Sequence, residues 1–147
     1  MYRITLILGI IILITTFQST AQISENWQLF KETPELKIES QKAVCTRPDE
    51  GTNIEYLYLK LTNKTSQTLQ VKFKKEMWFD NECLSCSSES DEYNVIFNLK
   101  PNQRIFPICK DAGDFNVLRV FSSMPDGFTK RTLTKFNISN LEIKIID

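Results

Sequence analysis

The feature that most constrains the fold is an alternation of apolar and polar residues with a period of two, running from residue 35 towards the C-terminus. Successive side chains of a β-strand point to opposite faces, so this pattern describes strands with one face buried and one wetted. Leu36, Ile38 and Val44 share one parity, while Leu57, Leu59 and Leu61 face away from Tyr56, Tyr58 and Lys60. Leu69, Val71 and Phe73 alternate with Gln70, Lys72 and Lys74, and Met77 and Phe79 resume the apolar parity. Tyr93, Val95, Phe97 and Leu99 form a further run, and residues 115–121 are apolar at almost every position, which predicts a strand covered on both sides or ending against the opposite sheet. Phe136 and Ile138 give way to Leu141, Ile143 and Ile145, a parity change at Ser139-Asn140 that predicts a β-bulge.

Turn-formers separate these runs: Pro48-Asp49-Glu50-Gly51, Asn63-Lys64-Thr65-Ser66, Lys100-Pro101-Asn102 and Met124-Pro125-Asp126-Gly127. Short strands between such turns, with no stretch of helical spacing, predict an all-β fold, an antiparallel immunoglobulin-like β-sandwich of about seven strands. Residues 24–32, with Trp27 and Phe30 three apart, read as one helical turn or an irregular opening strand, and the polar, acidic residues 83–92 as a loop joining two strands.

The first residues have a different character. Arg3 precedes an apolar run over residues 4–14, and small polar residues follow up to Ala21. This layout fits a signal peptide over residues 1–21, cleaved after Ala21, with a single domain over residues 22–147. A membrane anchor needs about 20 apolar residues, more than this run supplies, so no stable membrane anchor is expected after cleavage. The expected location is exported, periplasmic or extracellular. The chain carries 18 basic and 18 acidic residues, and no block of like charge forms a stripe suited to nucleic acid.

Export decides how Cys45, Cys83, Cys86 and Cys109 are read. An even number of cysteines in an oxidising compartment implies disulfides, and four permit three pairings. The chain contains no histidine, which removes Ser-His and Cys-His nucleophile pairs and every histidine-containing metal site. Cys83-Leu84-Ser85-Cys86 has the spacing of a thiol–disulfide exchange pair or of half a zinc site. The carboxylates of Asp80, Glu82, Glu89, Asp91 and Glu92 surround it in sequence and disfavour a thiolate, so a structural disulfide is the preferred reading, with thiol–disulfide activity of Cys83 and Cys86 as the alternative. A Cys₄ zinc site would have to use Cys45 and Cys109, which are far apart in sequence. The acidic cluster lacks calcium-loop spacing, and nothing marks a glycosidase pair. No cofactor, metal or catalytic residue is implied.

Trp27, Tyr56, Tyr58, Trp78 and Phe79 are the aromatics considered for an outward position: Tyr56 and Tyr58 lie opposite the leucine face, and Trp78 lies opposite Met77 and Phe79. An exposed strip of Tyr56, Tyr58 and Trp78 is a possible binding surface for a protein or carbohydrate partner. The competing reading is that Trp78 and one of the tyrosines complete the core between sheets; it is preferred for Trp78 and left open for the tyrosines. Asn63-Lys64-Thr65 and Asn137-Ile138-Ser139 match the glycosylation acceptor pattern, which chance also produces often.

Taken together, the signal ending Thr20-Ala21-Gln22, Trp27, and Cys45 before the Tyr56-Leu57-Tyr58-Leu59-Lys60-Leu61-Thr62-Asn63-Lys64-Thr65 strand resemble short exported β-sandwich proteins of Bacteroidetes-type bacteria. So do Trp78-Phe79 before Cys83 and Cys86, the Leu99-to-Asn102 turn, Cys109, and the closing Leu133-Thr134-Lys135-Phe136 with Asn140-Leu141-Glu142. The resemblance implies export, a β-sandwich and structural cysteines, and no activity.

These features describe an exported, disulfide-stabilised binding or structural module without enzymatic activity. A bridge between Cys45 and Cys109 would close a long loop, worth about 4 kcal/mol in the chain-entropy model, whereas a Cys83–Cys86 loop is too short to contribute much. Cys45→Ser is therefore expected to lower the melting temperature more than Cys83→Ser. Equal melting temperatures for the two variants would contradict that pairing.

Overall fold

Strands with one apolar face become stable when two such faces meet. The structure, a computed structural model, describes residues 26–110 and 113–146, so the signal peptide read over residues 1–21 lies outside the described residues. Among the described residues the chain forms strands β1 (Gln28–Glu32), β2 (Leu36–Arg47), β3 (Thr52–Asn63), β4 (Thr68–Phe79), β5 (Glu82–Cys83), β6 (Asn94–Leu99), β7 (Arg104–Ile105), β8 (Arg119–Ser123) and β9 (Leu133–Ile146). Seven of these have five residues or more, while β5 and β7 are two-residue ladders. No helix among the described residues is long and apolar enough to cross a membrane.

The strands form two antiparallel sheets. In the first, β1, β2 and β3 lie side by side, and β7 and β8 both pair with β3. In the second, β4 is central, with β9 on one edge and β5 and β6 end to end on the other. Two consecutive pairs cross between sheets: β3 leads to β4 and β8 leads to β9, while β3 pairs with β8 and β4 with β9. Such an interlocked Greek key underlies immunoglobulin-like sandwiches.

The inner faces carry the predicted parity. Leu36, Ile38, Leu59 and Leu61 of the first sheet meet Leu69, Val71, Phe73, Val95, Leu99 and Ile138 of the second. Burying each such side chain contributes about 1.5–3 kcal/mol. Leu57, Val120 and Leu133 form a second cluster with Met77, Phe79 and Phe136. Phe30 joins the two sheets by packing on Phe136 with ring centroids 5.5 Å apart. It is brought inward by a register shift in β1 between Leu29 and Lys31, so residues 28–32 are an irregular opening strand. Val44 keeps the parity of Leu36 but is 50% exposed, because its part of the β2–β3 hairpin lies beyond the packed core.

The predicted bulge is present. Lys72 faces Glu142 and Lys74 faces Ser139, leaving one extra residue in β9, and Asn140 takes a left-handed conformation there. Gly51 closes the β2–β3 hairpin at φ +62°. Asp80 and Asn81, both at positive φ, form the two-residue turn of the β4–β5 hairpin, the backbone required by a type I′ connection.

The apolar run over residues 115–121 is only partly strand, which corrects the sequence expectation. β8 begins at Arg119, and Gly113–Leu118 is coiled in 3-10 turns. β7 pairs with Leu61 and Thr62, and β8 with residues 55–58, so together they are one edge strand interrupted by an excursion whose described residues are 106–110 and 113–118. The run is apolar because it plugs the side of the sandwich: Leu118 is buried in the core and Phe115 lies against Phe97, centroids 5.9 Å apart.

Asn63 ties the two connections at one end of the sandwich. It is 1% exposed, and its side-chain N–H groups donate to the carbonyls of Gln67 (2.8 Å), Leu99 (3.2 Å) and Lys100 (2.9 Å). Its Oδ1 accepts from the Thr65 amide at 2.8 Å and hydroxyl at 2.9 Å. The β3–β4 and β6–β7 connections are thereby held together, and the asparagine of the first of the two glycosylation-like motifs is buried in this network. Asn63→Ala leaves the buried Leu99 carbonyl and several partly buried backbone groups unpaired and is expected to destabilise by about 3 kcal/mol, a fall of roughly 10 °C. Thermal unfolding followed by circular dichroism measures this, and a wild-type melting temperature would contradict it.

Candidate functional site

The four cysteines form two disulfides, Cys45–Cys109 and Cys83–Cys86, separated by 64 and 3 residues in sequence. All four sulfurs are engaged, so the arrangement is not a zinc site. Neither bridge spans the two sheets. Cys45 points from β2 to the outer face of the first sheet, and Cys109 lies in the excursion that leaves β3's edge. The bond therefore straps the excursion across its own sheet.

That outer face is covered. Tyr58 is only 2% exposed, which removes it from any surface strip. Tyr56 packs edge-on to Tyr58, ring centroids 5.8 Å apart, and the Arg119 guanidinium lies 4.5 Å from the Tyr56 ring. Arg119 also donates to the Cys109 carbonyl at 2.9 Å and to Asn116 Oδ1 at 2.7 Å, fixing the excursion's return. Burial raises the Tyr58 hydroxyl above its ordinary value of 10.0, partly opposed by Arg119. Further along, Trp27 meets Phe106 at 5.9 Å, and Lys60 Nζ lies 4.6 Å from the Trp27 ring. Burial alone would push the Glu39 carboxyl up, but donation from Lys60 and Lys37, each 2.9 Å away, holds it below its usual value.

Trp78 is separate from the tyrosines. It points outward from the second sheet, with Lys135 Nζ 4.4 Å from its ring. The preference for a core position is thus corrected by strand parity: Met77 and Phe79 turn inward to the second apolar cluster and Trp78 turns away. The three aromatics lie on two different sheets and form no common strip.

The outer face of the second sheet also holds a groove of about 340 Å³, lined among others by Lys72, Lys74, Asp91, Ile96, Asn140 and Glu142. Ile96 is 56% exposed beside two cations and two carboxylates. The bulge at Asn140 shapes one wall. Sequence reading did not single out this groove, although the bulge and the lone outward isoleucine of β6 are both visible in the sequence.

The predicted acidic cluster is dispersed. Glu82 pairs with Arg131, Asp80 Oδ1 accepts from the Thr132 amide at 3.1 Å, and Asp91 and Glu92 open a 3-10 turn capped by Ser90. Among the described residues no group of three or more metal-ligating side chains could hold an ion. Asn137, of the second glycosylation-like motif, donates to Glu76 Oε2 at 3.0 Å.

Lys75 is a buried polar group that the sequence marks only as the break between Phe73 and Met77. It occupies an inward position, and its Nζ donates to the Val117 carbonyl at 3.1 Å, linking β4 to the excursion. Burial holds the amine below its ordinary 10.5, with Glu92 pulling weakly the other way.

No family model, curated protein or solved structure matches this chain.

A lysine with a lowered folded pKa binds fewer protons folded than unfolded between that value and 10.5, so stability rises with pH across this window. Lys75→Met removes the buried charge. It is expected to raise the melting temperature at pH 7, with the gain over wild type shrinking as pH approaches 10.5. A gain that does not change between pH 7 and 10 would contradict the assignment.

Proposed function

We propose that the protein is an exported, disulfide-stabilised binding module, a single sandwich over residues 22–147, whose groove on the outer face of the second sheet contacts a protein partner. The groove itself carries the reading: it brings Lys72, Lys74, Asp91 and Glu142 around the exposed side chain of Ile96. An apolar side chain rimmed by both signs of charge suits a polypeptide surface with its own mixed charges. Carbohydrate binding normally uses an open aromatic face. Here Tyr58 is buried and cations lie over Tyr56 and Trp78, which weights the reading towards protein. The two disulfides agree with folding in an oxidising compartment.

The test uses a photo-crosslinking residue at position 96, expressed in the native envelope, with the same group at position 44 as a control. The expected result is one discrete adduct specific to position 96. Lys72→Glu, which should leave the melting temperature unchanged, should abolish it. No discrete adduct, or one insensitive to Lys72→Glu, would overturn the proposal, and a glycan-shifted smear in place of a protein adduct would point to carbohydrate.

A further inference from the structure

The two disulfides sit in different mechanical situations. Cys45 is fully buried and its bond fastens an excursion that helps plug the core. Cys83 and Cys86 lie on the outer face of the second sheet, where Cys86 is exposed.

The Cys83–Cys86 segment is held without its disulfide. The Leu84 amide donates to the Met77 carbonyl at 2.9 Å, continuing the β4–β5 ladder. One residue on, the buried Ser85 hydroxyl replaces the missing backbone partner by accepting from the Met77 amide at 2.9 Å. Lys74 Nζ then donates to the carbonyls of Cys86 (3.1 Å) and Ser88 (2.8 Å). Opening the sulfur–sulfur bond breaks none of these contacts, so both cysteines stay in position to close it again.

The surroundings also differ from what the linear sequence suggests. The Cys86 amide donates to Cys83 Sγ at 3.1 Å. Hydrogen bonding to the charged form favours a thiolate, as do nearby cations. Lys74 is fixed on the Cys86 side, and Lys135 lies over Trp78, which is Cys83's cross-strand neighbour. The adjacent carboxylate, Glu82, is engaged by Arg131, and Glu76 on the next row accepts from Asn137.

We propose that Cys83–Cys86 is a reversible thiol–disulfide exchange site for dithiol partners, while Cys45–Cys109 is a permanent strap. A thiolate of the dithiol donor attacks the exposed Cys86 sulfur, forming a mixed disulfide and expelling Cys83 as a thiolate held by the Cys86 amide. The donor's second thiolate then attacks its own sulfur in the mixed disulfide and releases Cys86. Two electrons pass to the cysteine pair, which takes up two protons, and the donor leaves oxidised as a disulfide. This proposal is independent of the groove reading.

The test treats the purified oxidised protein with dithiothreitol at pH 7, traps thiols by alkylation at intervals and maps them by mass spectrometry. Cys83 and Cys86 are expected to open at least tenfold faster than Cys45 and Cys109 without loss of the far-ultraviolet β signal. Oxidised glutathione should then restore the same pair. In Cys86→Ser, which keeps the amide donor, the pH midpoint for alkylating Cys83 should lie below the ordinary thiol value of about 8.5. Equal opening rates, cooperative unfolding on opening, failure to reclose, or a midpoint at or above the ordinary value would each overturn the proposal.

Discussion

The architecture depends on two chain crossings being held at one end of the sandwich, and Asn63 holds them. A sandwich whose paired strands belong to different parts of the chain must bring its connections together where little apolar surface is available. One buried amide solves this by satisfying three carbonyls from two connections while its oxygen fixes the turn of its own. An apolar residue there would leave those groups without partners in a region water does not reach freely. The Asn-Lys-Thr triplet that resembles a modification signal is thus structural: threonine serves the turn and asparagine the crossings.

With the crossings fixed, the sheets can use their outer faces in different ways. The first sheet spends its outer face on structure. Its interrupted edge strand throws residues 106–110 outward, and the Cys45 bond, the Arg119 bridge and the Trp27–Phe106 contact bind that chain down. The excursion then returns to plug the sandwich with Leu118, and Lys75 meets it from β4. The second sheet keeps its outer face open, with the groove and the Cys83–Cys86 hairpin on it. Both proposed activities lie on this sheet because its outer surface is not committed to holding the fold together.

Most of the strand pattern was legible in the sequence because alternation reports directly which side of a strand is wet. The parity of β3 and β4 and the bulge at Asn140 follow from it. Alternation says nothing about what covers an outer face, so it leaves open whether Tyr58 is exposed, and only the fold shows it buried. It cannot tell a strand from a coiled plug either, so over residues 115–121 it does not show that Phe115 to Leu118 are coiled and only the rest is strand. Trp78 shows a rule of composition yielding to parity: a tryptophan in a sandwich is commonly core, but between Met77 and Phe79 it has to point outward. The disulfide pairing was open because spacing does not determine which loops meet. Around Cys83 the linear sequence shows only carboxylates, whereas in the fold Glu82 pairs with Arg131 and the nearby cations Lys74 and Lys135 come from other strands.

The bulge at Asn140 has a consequence for how the molecule behaves among its own copies. Among the described residues β9 pairs only with β4, so its other edge offers unpaired amides and carbonyls along a fourteen-residue strand. A straight edge of that length is a template onto which a second chain can add. The extra residue at Asn140 bends the strand and breaks the regular spacing of those groups, dividing the edge into two short stretches that no single straight strand can match. The same kink that shapes a wall of the groove therefore also guards the molecule against stacking edge to edge.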